Sequence, residues 1–356
     1  MRLAPTLALL LWACAGQAQT TERDFVSFAG MQFTYPYVSR AIEEFGERYP
    51  RKFPMFTFIR MANSFQLFCQ GTGLGRIDAV LTLQPMAPEN AARCQRNGVR
   101  EVVEIPVGQD ALVLVSGRNT PVPPLTTDLL YTAITRLVPG PEQGSNLIQN
   151  PFDNWQQLEP ELDNRRIRVL GPPMGSDLHD ILVLSLLRPA CERLLIQDGE
   201  SYSEEQRRLL CETLRDDGIY GYYRDAEDLL ALLETEPRIM ALTSYRVLLN
   251  QLDVLQPLPL DNVYPNRFSI GTGDYPLTLR LLLYLKKEHL EYVPGLGQFV
   301  GELVSDGAVA FRGYLTELGL VPLLRGERQR SQFAVRFGET VDLEALQAQG
   351  EADPLP

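Results

Sequence analysis

The sequence is short of the residues that several kinds of chemistry need. Only two histidines, His179 and His289, occur among its 356 residues, and its five cysteines form no Cys-x-x-Cys pair. A structural metal site wants about four thiolate or imidazole ligands at short spacing, so a metal centre fails on spacing. Basic residues are outnumbered, 33 Lys and Arg against 45 Asp and Glu, for a formal net charge of -12. A phosphate backbone demands a basic face, which argues against nucleic acid as a partner. After the N-terminus no stretch reaches the ~20 apolar residues of a membrane span. No internal repeat of about 20–50 residues is visible. The Gly71–Gly75 cluster lacks the third glycine of a dinucleotide fingerprint and opens no clear helix, so it reads as a turn. No cofactor is implied.

What remains is a chain able to bury a full core. Apolar residues make up 45%, and the length suits about two lobes of ordinary size. The N-terminus reads as an export signal. Arg2 supplies the positive start, and Leu3–Trp12 is apolar apart from Pro5 and Thr6. Small residues follow, and Gly16-Gln17-Ala18 fits a signal-peptidase site before Gln19. Leu11-Trp12-Ala13-Cys14 also resembles a lipoprotein box, in which Cys14 would carry lipid. Trp12 is bulky for that box, so soluble secretion is the preferred reading. Cys69, Cys94, Cys191 and Cys211 then remain, an even number in an oxidising compartment. Three pairings exist. Cys69–Cys94 and Cys191–Cys211 are preferred because each joins neighbours in sequence.

Strands and helices alternate along the chain, which argues α/β with mostly parallel sheets. Phe25–Phe28, Phe56–Ile59 and Asp78–Thr82 read as strands. Between the first two, Val38, Ala41, Ile42 and Phe45 recur at helical spacing until Pro50. Val102–Ile105 and Ala111–Val115 read as two strands separated by Pro106–Asp110. Leu277–Leu285 is strand-like, and Pro294–Val304 and Asp306–Leu318 are helical. Residues 325–356 read as a polar tail, helical at Leu343–Ala348 and otherwise loosely held.

One stretch organises the rest. Gly171–Asp180 follows the short strand Ile167–Leu170 and precedes the apolar helix Ile181–Leu187. A strand, a Gly/Pro/Ser loop and a helix start aim backbone N–H groups outward, and the helix dipole favours an anion there. Asp177 reads equally well as a first-turn cap of that helix. Ser176, His179 and Asp180 suggest a triad only on paper. Within one helical turn they cannot line up as nucleophile, base and orienter, so no enzymatic role is expected.

In order and spacing these segments resemble the periplasmic phosphate-binding proteins of phosphate ABC transporters, within the type II periplasmic binding-protein superfamily. The resemblance rests on Phe28-Ala29-Gly30 with Ile42–Gly46, on Ile105–Val113, and on Asn154-Trp155 with Gly171-Pro172-Pro173. It continues in Gly273–Leu277 and in Gly313-Tyr314-Leu315 to Gly319–Leu323. Phe68–Gly71 and Cys94–Val99 resemble a cysteine-bearing branch of the family and support the first disulfide. The resemblance implies a two-lobed α/β fold. Each lobe is a mixed, mostly parallel sheet flanked by helices, with a ligand cleft between lobes. The chain divides accordingly into a signal peptide (1–18), lobe 1 (19–116 and 264–324), lobe 2 (117–263) and a C-terminal tail (325–356).

Family members grip phosphate with hydroxyls, helix-start amides and an arginine. Here those loops differ. Gly30-Met31-Gln32-Phe33 stands where the family has Gly-Ser-Ser-Thr, Arg60–Ser64 where it has a Gly-rich loop, and Leu83-Gln84 where it has a Ser with Arg or Asp. Ser176-Asp177-Leu178-His179-Asp180 replaces Ser-Gly-Thr-Arg-Asp. Each donor missing from a phosphate site costs about 1–3 kcal/mol, so the fold is expected to persist while the phosphate grip is lost or replaced. The remaining cleft candidates are Gln32, Asn63, Ser64, Gln84, Ser176 and His179. The expected function is a monomeric, periplasmic substrate-binding protein that captures phosphate or another small solute for an ABC transporter permease. The alternative is a degenerate, non-transporting paralogue acting as a periplasmic interaction or scaffold protein. A dry cleft filled by Met31, Phe33 and Leu178 would favour the alternative.

Overall fold

The computed structural model describes residues 23–49, 54–140, 147–195 and 203–352. The signal-peptide reading of residues 1–18 and the question of Cys14 lie outside the described residues. Among the described residues there are eleven strands, in chain order: β1 (Ser27–Gly30), β2 (Met55–Phe58), β3 (Ala79–Thr82), β4 (Val102–Gly117), β5 (Leu137–Pro139), β6 (Leu147–Gln149), β7 (Val169–Gly171), β8 (Tyr220–Tyr222), β9 (Met240–Ser244), β10 (Leu255–Pro257) and β11 (Thr278–Lys286). The main sheet runs β2-β1-β3-β11-β4-β9-β7-β8, with β10 beside β4. It is mixed. β1 pairs β2 and β3 in parallel, and β7 pairs β8 and β9 in parallel. The antiparallel β4 and β11 join the two groups.

β4 corrects the sequence reading of two short strands. It is one 16-residue strand. Residues 102–111 pair with β11, and residues 112–116 pair with β9. Pro106 lacks an N–H and would interrupt a regular ladder. The register shifts between Leu281 and Leu282, opposite Gly108 and Pro106, so that Val107 is bulged out. That bulge lets the strand pass through the proline. The strand therefore passes from β11 to β9 as its neighbour between Ala111 and Leu112.

Helices cover both faces of the first-lobe half of the sheet, forming two separate cores. Tyr37, Val38, Ala41 and Phe45 from the Tyr35–Arg48 helix pack with Phe299 and Val300 on one face. Phe65, Phe68, Tyr284 and the Cys69–Cys94 disulfide fill the other. The second lobe has one large core around β4, β7 and β9. The Cys191–Cys211 disulfide lies within it. The preferred pairings are thus the ones formed, closing loops of 25 and 20 residues. Each loop of that size stabilises by about 3 kcal/mol on the chain-entropy model.

The C-terminal residues are not a loose tail as far as they are described. Arg325–Phe337 and Leu343–Ala352 are helices. The first ends on Gly338 at φ 64°, a left-handed stop that glycine makes without strain. Its buried stripe is made of the small residues Ser331 and Ala334, too slight to register as an apolar periodicity. Leu343 then joins the buried core that also holds Phe65 and Tyr284.

Candidate functional site

The cleft is built from loops at the ends of four strands. β1, β2 and β3 deliver Met31–Phe33, Arg60–Met61 and Leu83–Gln84 from the first lobe. β7 delivers Gly171–Ser176 from the second. This loop is tight. A Cβ on Gly171 would stand 1.6 Å from the Tyr220 hydroxyl oxygen, so only glycine fits. Ser176 caps the helix that follows: its Oγ accepts from the His179 backbone N–H at 3.2 Å and donates to the Pro173 carbonyl at 2.7 Å. The hydroxyl is fully used by its own loop.

Asp177 does something the sequence did not disclose. Its carboxylate does not cap its own helix but reaches across the cleft and accepts from the Phe33 backbone N–H at 2.9 Å. Phe33 lies in a short 3-10 turn, Gln32–Thr34, that runs directly into the 14-residue Tyr35–Arg48 helix. The first N–H groups of such a run lack partners within it, and the dipole adds partial positive charge. An anion is favoured there, and Asp177 supplies it. A hydrogen bond to a charged acceptor contributes about 1.5–3 kcal/mol.

A second bridge lies beside the first. Arg60 of the first lobe forks onto Asp180 of the second, with Nη2 2.7 Å from each carboxylate oxygen and Nε at 3.1 Å. The same guanidinium donates to the Gly175 carbonyl. Arg60 is half exposed, so the pair contributes about 1 kcal/mol or less. Its geometry is nevertheless that of a clasp.

Apolar side chains fill the space behind these bridges. Met31 and Met61, both from the first lobe, are buried in the second-lobe core, and Phe33, Leu83 and Leu178 pack against it. The core thus continues across the cleft where the resemblance places the phosphate oxygens.

An open volume survives to one side. A cavity of about 580 Å³ lies between the lobes, lined by Arg60, Met61 and Gln84 on one wall and by Met174, His179 and Val183 on the other. Arg188 and Glu212 form its far edge, with Nε 2.7 Å from Oε1. His179 is half-buried, and burial lowers its pKa. Its Nδ1 is buried without a partner. Val183–Leu187, at the edge of the cavity, forms a π turn rather than regular α-helix. Such wide turns recur at functional sites.

Of the six cleft candidates, Gln84 and His179 share this cavity. Ser176 adjoins it with its hydroxyl engaged. Ser64 is buried with an unpaired Oγ, and Gln32 and Asn63 are exposed outside the cavity. Sequence reasoning missed Arg60, Arg188 and Glu212. The one available signal was opposite charge in facing loops, Arg60 after one strand and Asp177 and Asp180 after another.

Behind the cleft, at the crossing point of β4, Asp110 is fully buried. Its carboxylate accepts from the Tyr37 hydroxyl at 2.7 Å and from the Ala111 N–H at 2.8 Å. Burial pushes its pKa up to about 6.

A PBP superfamily domain model matches residues 15–307. Among curated proteins the chain is similar to Protein SphX of Synechococcus elongatus, with 24% identity over 208 residues. That alignment covers 58% of this chain and 56% of the relative, little more than half its length. Among solved structures it is similar to a possible phosphate binding protein from Planctomyces limnophilus, with TM-score 0.63, 17% identity, and 88% and 98% of the two chains covered. PstS from Borrelia burgdorferi gives TM-score 0.60 at 13% identity, covering 85% and 100%. An ABC-type phosphate transport receptor from Vibrio cholerae gives 0.57 at 13%, covering 84% and 99%. At these identities the likeness is one of fold.

Proposed function

We propose that this chain, which belongs to the PBP superfamily of binding proteins, is a periplasmic substrate-binding protein of the phosphate-transporter type whose own carboxylate has replaced phosphate in the cleft. The observation that carries this reading is the Asp177–Phe33 bridge. A free phosphate would have to displace a carboxylate already seated on the same helix start, among methionines and leucines that donate no hydrogen bonds. Ligand capture then moves to the lateral cavity, whose lining takes Gln84 from one lobe and His179 from the other. Its charges are balanced, Arg60 against Asp180 and Arg188 against Glu212. A small neutral or zwitterionic solute suits such walls better than a dianion. Delivery to an ABC transporter permease in the inner membrane completes the role. Among the described residues no helix is long and apolar enough to cross a membrane.

The alternative, a non-transporting interaction protein, draws support from the buried Met31 and Met61. Thermal-shift screening of the mature protein separates the two. Solutes that bind the folded state raise its melting temperature. A neutral or zwitterionic solute that does so, with phosphate inert, supports capture in the lateral cavity. Micromolar phosphate binding by calorimetry would sink the replaced-site reading, and no shift with any solute would favour the alternative.

A further inference from the structure

The second lobe carries another cavity, at the end of its sheet remote from the cleft. Ser116 of β4 and Val169 of β7 both pair with Met240 of β9. Arg118, Arg168 and Ile239 therefore leave the sheet at one common end. The Gly171–Ser176 loop leaves β7 at the other end, toward the first lobe. The cavity at the remote end has a volume of about 700 Å³. Five arginines line it, Arg118, Arg165, Arg166, Arg168 and Arg238, with Glu236 as the one acid of the lining.

This concentration is out of keeping with a chain of net charge -12. Local carboxylates neutralise it only in part. Glu236 lies 3.2 Å from Arg168, and Asp163 lies 3.1 Å from Arg165 Nε without an aligned hydrogen bond. Arg118 spends one N–H on the Leu252 carbonyl at 2.9 Å, which carries no charge. Arg166 and Arg238 are exposed, and among the described residues no carboxylate pairs with either. Arg118, Arg166 and Arg238 thus leave an excess of positive charge at one place, and an anion relieves the repulsion among them.

We propose that this cavity is a second ligand site, for an organic phosphate that carries more than one phosphoryl charge. Guanidinium forks match phosphate oxygens two at a time, and several converging forks favour several phosphates over one. Pro121, Pro237 and Ile239 add apolar surface to the lining. Such surface suits a ring or other carbon skeleton more than a bare inorganic ion. The volume lies within the usual range for small-molecule sites, about 300–1,000 Å³. The same phosphate chemistry could come from a soluble molecule or from a lipid headgroup, and ATP binding set against vesicle binding separates the two.

Titration calorimetry of the mature protein with ATP as the probe tests the site. The expected result is one ATP per chain, with affinity falling about tenfold or more in the Arg166→Ala/Arg238→Ala double variant and falling as salt is raised. Both side chains are exposed, so the variant should keep the wild-type melting temperature. Inorganic phosphate at equal concentration should compete poorly. The proposal is overturned if ATP gives no binding, or if the double variant binds it equally. Co-sedimentation with phosphatidylglycerol vesicles, lost in the double variant while ATP fails to bind, would overturn it in favour of a membrane surface.

Discussion

Asp177 and Phe33 are 144 positions apart in sequence, yet the carboxylate of one accepts the backbone N–H of the other at 2.9 Å. The bridge joins the two lobes at the helix start that an anion would otherwise hold.

Removing the carboxylate should expose that site. Asp177→Gly frees the Phe33 N–H and takes one negative charge out of the cleft. Phosphate affinity, measured by calorimetry, should rise by about tenfold or more, the equivalent of about 1.4 kcal/mol. Asp177→Glu, which keeps the charge, should leave phosphate unbound. Equal phosphate binding by both variants and the wild type would show that the bridge is not what excludes the ion.

The Arg60–Asp180 clasp should act more on opening than on stability. Arg60→Ala is expected to cost about 1 kcal/mol or less in urea unfolding, because the pair is solvent-exposed. Small-angle scattering should nonetheless show a larger radius of gyration, since one of two polar bridges between lobes is gone. An unchanged scattering profile would mean that apolar packing around Met31 and Met61 alone holds the lobes together.

Stability should fall as pH rises through the range where Asp110 ionises. Burial lifts its pKa from 3.8 to about 6 in the folded protein. A raised folded-state value means that the neutral form is preferred on folding. Its contribution is fully present below about pH 4 and is lost between about pH 4 and 6. Asp110→Asn should flatten the pH dependence of unfolding free energy across that window by about 3 kcal/mol. An undiminished slope in the variant would assign the dependence to other groups.

Gly171→Ala should be among the more damaging single-methyl changes in the chain. The added Cβ would meet the buried Tyr220 hydroxyl. Overpacking of this kind costs about 1–3 kcal/mol. Urea unfolding checks it, and the double variant Gly171→Ala/Tyr220→Phe should recover part of the loss.

The sequence disclosed those features whose cause is local. Gly and Pro punctuation marked the Gly171–Ser176 loop, helical spacing marked Val38 to Phe45, and the cysteine count with sequence neighbourhood pointed to the two disulfides. Features decided by long-range geometry stayed hidden. Pro106 argued for a break in β4, because the bulge that accommodates it depends on the register of β11. The Arg325–Phe337 helix looked like a tail, because Ser331 and Ala334 make a stripe too small to read. Asp177 read as a helix cap, because nothing near it in sequence indicates Phe33. The departures from the phosphate-binding loops were legible residue by residue. That they combine into a bridge was legible only once both lobes were in place.

The bridge can also be put in terms of competition. A carboxylate held by the same chain acts at an effective concentration of about millimolar even on a flexible tether. Asp177 sits at the start of a helix rather than on a loose linker, so it loses little freedom on seating. Free phosphate meets a competitor that is always present and never diffuses away. In the proposed reading the cleft is in this sense saturated by the chain itself, and a carried solute takes its place elsewhere.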